Sequence, residues 1–246
     1  VIRMMGASTA LKTQMKTPKS YLNPEFLMSK EARTVRLLCE YLDPEKRFRE
    51  LAVERGIILF GSARLPESSP SYQDAADLAE RIARWTTEAH ERARRYYIVT
   101  GGGPGIMQAA HEGAARVDIA LNIGLNISLP HEEQANPFVE LQRSVVFHYF
   151  FMRKFWFLNL ARAAVIFPGG FGTMDELFEL LTLTQTGKSS PMPIVLYDRA
   201  FWTETVNFES FAKRGLIKRS DLDLFTYADT PEQAMEQVLH GLNEDD

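Results

Sequence analysis

The feature that most narrows the fold of this chain is a recurring pattern. Short, continuous apolar runs each close on a glycine or a polar loop, and longer stretches with helical spacing separate them. "GIILFG", "YYIVTGGG", "ALNIGLNISLP", "AAVIFPGG" and "PIVLY" are short for helices and largely lack polar alternation, so they read as strands covered on both faces. The material between them, such as Tyr72 to His90 and Gly105 to Arg116, reads as helix. A last strand, "LFTYA", and a helix from Pro231 to Leu242 close the chain. This alternation predicts an α/β fold: a Rossmann-like, doubly wound parallel sheet flanked by helices.

At 246 residues the chain can form one large domain or two small ones. No repeat, low-complexity tract or linker interrupts it after Glu25, so one domain is expected over 25–246, with a helical extension at its N-terminal end. That extension is "KEARTVRLLCEYL", with Val35, Leu38, Cys39 and Leu42 at helical spacing and Ser29 as the expected N-cap. Residues 1–24 are expected to be a flexible arm. They carry Arg3, Lys12, Lys16 and Lys19 with no acid before Glu25.

A net charge of -4 and a pI near 5.8 give no field that would gather nucleic acid or an anionic membrane, so neither is an expected partner. Cys39 is the only cysteine, which rules out an intrachain disulfide and a cysteine-based zinc site, and no metal is expected. No apolar run approaches the ~20 residues of a membrane helix. The opening segment lacks the pattern of a secretory signal, and a cytoplasmic location is expected.

Ligands of open α/β sheets bind at the carboxyl ends of the strands, and three such ends carry suggestive loops. "TGGGPGIM" follows a strand and opens a helix, so its backbone N–H groups can approach a phosphate or a base. It is not a dinucleotide fingerprint: the last glycine of G-x-G-x-x-G falls on Ile106 when counted from Gly101, and on Gln108 from Gly103. "TGKSS" is not a Walker A loop, because the earlier glycine position holds Thr182. "FGSAR" places Gly61, Ser62 and Arg64 at the end of the first strand.

"PGGFGTMDE" offers Gly169, Gly170 and Gly172, small enough for a ligand to touch the main chain at a helix N-terminus, and a monophosphate fits that chemistry. Taken alone, the same stretch reads more readily as a T-x-x-E capping box, in which Glu176 would bond back to the Thr173 N–H. Upstream, "FHYFFMRKFWFLNL" is aromatic at seven of its fourteen residues and must bury itself against the sheet or a second subunit. Arg153 and Lys154 lie within it and need partners, either structural carboxylates or an anionic ligand. His148 is read as a core histidine with no role. Glu132 and Glu133 follow a strand end and fall near the same crevice.

"FGSAR", "GGGPGIM", "MRK" and "PGGFGTMDE", in this order and at these separations, resemble the LOG (Lonely Guy) family over about Gly56 to Leu242. The N-terminal extension, "NISLPHEEQANPF" and "TQTGK" look like the family's longer, second group. The resemblance implies a Rossmann-like nucleotide-binding domain that hydrolyses the N-glycosidic bond of a nucleoside 5'-monophosphate, a cytokinin nucleotide or a purine monophosphate such as AMP. The products are the free base and ribose 5-phosphate.

Carried over residue by residue, Arg153 and Glu176 match the catalytic pair and Lys154 accompanies the arginine. Gly169, Gly170, Gly172 and Thr173 match the phosphate loop, and Gly103, Gly105 and Met107 the first glycine loop. Glu132 matches a substrate-binding acid loosely. Gly61 and Ser62 would line the same crevice, and Met107 and Phe171 could flank a planar ring. No cofactor is implied, and the aromatic helix suggests a homodimer or a larger homo-oligomer. Members of the family were long labelled possible lysine decarboxylases, but no lysine here has a convincing setting for pyridoxal phosphate. The competing reading is a non-catalytic relative, a nucleotide sensor or a carrier of a molybdenum cofactor.

Overall fold

A computed structural model of the chain describes residues 17, 19–128 and 136–243. The chain divides into two compact units, 1–39 and 40–246. In the first, a helical turn at Ser20–Leu22 precedes the short helix α1 (Pro24–Leu27), and the first residues of α2 (Arg33–Leu51) follow. Ser29 is therefore not the N-cap expected of it. The Arg36 guanidinium takes the Leu27 and Ser29 carbonyls at 2.7 and 2.6 Å, closing a turn that delays the helix to Arg33. Helix α2 runs through Pro44 to Leu51.

The second unit holds a seven-stranded, wholly parallel sheet in the order β4-β3-β2-β1-β5-β6-β7. The strands are β1 (Arg55–Phe60), β2 (Tyr96–Thr100), β3 (Asn122–Ile127), β4 (Ser144–Phe147), β5 (Ala161–Ile166), β6 (Ile194–Tyr197) and β7 (Thr226–Ala228). Between and after them run α3 (Pro70–Ala89), α4 (Ile106–Asp118), α5 (Phe150–Leu160), α6 (Phe171–Gln185), α7 (Arg199–Thr205), α8 (Phe208–Lys213) and α9 (Pro231–Asn243). The fold class is the α/β, doubly wound one that the apolar runs predicted. Among the described residues, no helix is long and apolar enough to cross a membrane.

Strand β4 is the element that the pattern of runs missed. It has four residues at the sheet edge, Val146 is exposed, and no glycine or proline separates it from the aromatic run that follows. That run begins with the last residue of β4, so the helix starts at Phe150 rather than Phe147.

Parallel strands require crossovers, and these are right-handed in nearly all proteins. Stepping β1 to β2 to β3 puts α3 and α4 on one face. The return from β4 to β5 on the far side of β1 puts α5 on the other. Helix α3 lies against α4 and α9, whereas α5 meets the end of α2 through the Phe48 and Trp156 rings, 5.4 Å apart. The central strands are covered on both faces: Ile57, Ile58, Leu59, Val165 and Val195 have no exposure. Strand order reverses between β1 and β5, and their carboxyl ends open a crevice there.

Helices α3 and α4 approach closely at Gly113, where an added Cβ would overlap the Ala76 carbonyl oxygen and sit 2.7 Å from its carbon. Backbone cannot swing aside as a side chain can. Gly113→Ala is expected to cost about 3 kcal/mol, at the upper end for overpacking, read as a lower midpoint in denaturant.

Candidate active site

The loops leaving β1, β2 and β5 do meet. Phe167 N–H donates to the Phe60 carbonyl (2.8 Å), Ser62 N–H to Pro168 (3.0 Å) and Ile106 N–H to Ser62 (3.1 Å). Gly105 is needed for this lacing: its φ is +66°, and a Cβ there would run into the Ser62 carbonyl and the Ala63 backbone. Above the laced loops opens a cavity of about 1200 Å³, ample for a nucleotide.

Gly61, Ser62, Gly103, Met107 and Arg64 line one side of the cavity. Gly169, Gly170, Gly172 and Thr173 line another, where α6 begins. The helix starts at Phe171 with Gly170 as its N-cap and no side chain capping it. A Cβ on Gly170 or Gly172 would meet no atom within 4 Å, so packing does not call for glycine there and the space is left to a ligand. The first-turn N–H groups, which have no partner within the helix, and the positive end of the dipole favour an anion.

Because α6 begins two residues before Thr173, the T-x-x-E box is not formed. Glu176 sits deeper in the helix and turns to Arg153, whose Nη2 lies 3.3 Å from its Oε1. Both side chains line the cavity, and they are nearly desolvated, 14% exposed for Arg153 and 8% for Glu176. Arg153 lies over the rings of Phe150 and Phe157, at 5.3 and 5.7 Å, and its Nε has no hydrogen-bond partner among the described residues.

Burial pushes the Glu176 carboxyl up to about 7, against the pull of Arg153 and Lys154 and with the help of Glu179 and Asp175. Burial likewise lowers Arg153, opposed by Glu176. Loss of hydration outweighs the attraction between the two, as is common for ion pairs out of water. Glu176 is thus poised to change charge near neutrality beside a cation that retains an unmet donor.

The helix that carries Arg153 is capped by a residue far away in sequence. Glu40, on α2, accepts the backbone N–H groups of His148 (2.7 Å) and Tyr149 (3.2 Å), capping α5 from outside, and its carbonyl accepts Trp156 Nε1–H at 3.0 Å. His148 is exposed rather than the core histidine expected of it, and its ring meets that of Tyr149 edge-on at 4.7 Å. Near the carboxyl end of β3, Asn126 donates to Ser144 Oγ at 2.8 Å, and both line the cavity. The signal available for Asn126 was a polar residue at the end of an apolar strand. Ser144 was lost with β4, and nothing local marks Glu40.

Two expected site residues stand apart. Gly105 serves the loop lacing, and Lys154 does not line the cavity: its ammonium bonds Asp175 at 2.7 Å and Glu179 at 3.0 Å. Glu132 and Glu133 lie outside the described residues. Phe171 is at the cavity rim and 97% exposed. Among the described residues, no cluster of three or more histidine, cysteine or acidic side chains could hold a metal ion.

A family model described as "Possible lysine decarboxylase" matches residues 106–238, more than half of the chain. The chain belongs to this family, the LOG family. Within it, the chain is 26% identical over 175 residues to a rice protein named probable cytokinin riboside 5'-monophosphate phosphoribohydrolase LOGL2, covering 68% of this chain and 65% of that protein. It is 33% identical over 112 residues to the Escherichia coli K12 pyrimidine/purine nucleotide 5'-monophosphate nucleosidase, covering 42% of this chain and 24% of that one. The match thus spans less than two thirds of either relative. The solved structure of the molybdenum cofactor carrier protein of Chlamydomonas reinhardtii shares the fold, with a TM-score of 0.50 and 20% identity over 77% of this chain and 99% of that one.

The raised Glu176 value carries a stability consequence with a definite sign. Below about 4.5 the carboxyl is protonated whether the chain is folded or not. Between 4.5 and about 7 the unfolded chain releases its proton first, so the folded state loses stability as pH rises, and above 7 the loss is complete. Removing that titration by Glu176→Gln should make the variant gain on the parent between pH 5 and 8, by at most about 3 kcal/mol. Parallel melts across that range check it.

Proposed function

We propose that the chain hydrolyses the N-glycosidic bond of a nucleoside 5'-monophosphate, yielding a free base and ribose 5-phosphate. The observation that carries the reading is the desolvated Arg153–Glu176 pair on the wall of a nucleotide-sized cavity that opens onto the uncapped start of α6. The names of the rice and Escherichia coli relatives support the reaction class, and they leave open whether a cytokinin nucleotide or a plain purine or pyrimidine nucleotide is preferred.

In this reading the phosphate sits on the α6 first-turn N–H groups and the ribose lies beside Glu176. As the C1'–N bond breaks, positive charge grows on the sugar, and the Glu176 carboxylate stabilises it and holds the attacking water. Water gives its hydroxyl to C1' and its remaining proton to the departing base. Arg153 steadies the phosphate or the leaving base while keeping the carboxylate in place. The family's older label does not suit Lys154. Burial would lower its pKa, but its bonds to Asp175 and Glu179 prevail and raise it, the reverse of an amine primed to form a Schiff base.

Incubating the protein with AMP, GMP, CMP and isopentenyladenosine monophosphate, and following the free base by chromatography, is expected to show turnover of at least one. Glu176→Gln and Arg153→Ala should each lower kcat/KM by about 100-fold or more while melting cooperatively. Full activity in the Glu176 variant would remove it from the chemistry. Tight binding of a nucleotide with no base released would favour a sensor or carrier.

We extend the proposal to a homodimer. Phe150, Phe151 and Phe155 remain 53, 52 and 40% exposed, and an apolar face of this kind suits a second copy. Light scattering should give the mass of two chains for the parent and of one for Phe151→Glu.

A further inference from the structure

Neighbouring residues of α5 reach three acids on α6. Arg153 meets Glu176, while Lys154 Nζ lies 2.7 Å from Asp175 Oδ2 and 3.0 Å from Glu179 Oε2. Asp175 and Glu179 are one turn apart and bracket Glu176, so the ammonium clasps both ends of the turn that carries the carboxyl. The Lys154 side chain is only 15% exposed, and it stands outside the cavity lining.

We propose that Lys154 is a positioning residue: its grip on Asp175 and Glu179 holds the start of α6 against α5 and keeps the Glu176 carboxyl turned to Arg153 at the cavity wall. The inference rests on the catalytic role proposed for Glu176. It also answers a mechanical problem. The beginning of α6 is a poor anchor, with glycine at its N-cap, glycine again two positions later, open space at both and no capping side chain. A phosphate-binding turn has to stay open in this way, so its rigidity must come from the flank, and two charge-assisted bonds supply it.

The clasp has an electrostatic side as well. The charges acting on Glu176 are Arg153 and Lys154 from α5, and Asp175 and Glu179 from α6. Removing the ammonium leaves two like charges beside Glu176 opposed by Arg153 alone, so the carboxyl would ionise at higher pH. A lysine that instead touched the substrate phosphate would change binding and leave that titration alone.

The test compares the parent chain with Lys154→Met and Lys154→Arg, with Lys154→Gln in reserve should the methionine variant fail to fold. The readouts are kcat and KM for AMP, or for whichever nucleotide is turned over, and the carboxyl carbon resonance of Glu176, assigned by its loss in Glu176→Gln. In the methionine variant, kcat at neutral pH should fall by about tenfold or more with KM within about twofold, and the Glu176 midpoint should rise by about one pH unit. Arginine should restore both.

A raised KM with kcat and midpoint unmoved would overturn the proposal in favour of substrate contact, and no change in any of them would reduce the clasp to a passive pair. Should the parent release no base from any nucleotide, the catalytic reading fails separately. The carboxyl titration then decides this inference, since an unmoved midpoint in the methionine variant overturns it.

Discussion

The Arg153–Glu176 pair is the interaction on which the rest of the site depends, because a cation and a carboxyl held largely out of water are stable only if their surroundings compel them to be there. At 3.3 Å the two attract, yet burial moves both toward their neutral forms. The fold therefore sustains a local penalty, and the large apolar core under the sheet outweighs it. Such a pair answers readily to a bound anion or to positive charge growing on a sugar, as fixed charges do in a site poor in water.

The surrounding structure can be read as the means of holding that pair. The reversal of strand order between β1 and β5 opens the crevice. The loops are then drawn together through backbone bonds, and Gly105 lets the β2 loop close on the β1 loop. Helix α5 is aimed by Glu40, which caps it from another helix and also takes the Trp156 indole N–H. Helix α6 is left glycine-lined and uncapped where an anion would lie and is gripped instead from the side by Lys154. Openness at the ligand and rigidity beside it come from different residues.

The layered sheet was legible in the sequence because strands buried on both faces must be continuously apolar, and five of the runs quoted for that reason fall on central or near-central strands. Strand β4 escaped because it is short, lies at an edge and has Val146 in solvent, so it carries no such signature. The glycine loops were legible as places of close approach, but their two uses were not separable. Gly105 admits another loop, whereas Gly170 and Gly172 leave room that nothing in the protein fills. For Glu176 the sequence held two readings, cap or pocket, and the choice turned on where α6 begins. A helix starting at Phe171 rather than after Thr173 carries the carboxyl past the first turn and out of reach of the capping geometry.

What the sequence determined by itself is whatever depends on local periodicity and residue size: the α/β class, the order of the elements, the loops at the strand ends, and the need of Arg153 for a partner. Only the tertiary structure decided which partners were chosen. Arg153 and Glu176 are 23 positions apart, and Glu40 lies 108 from the His148 N–H it accepts. Lys154, beside Arg153 in the chain, reaches different acids altogether. Such choices depend on the distance and solvent exclusion between packed helices. These arise only when the sheet brings α2, α5 and α6 into place, and no local pattern of residue types encodes them.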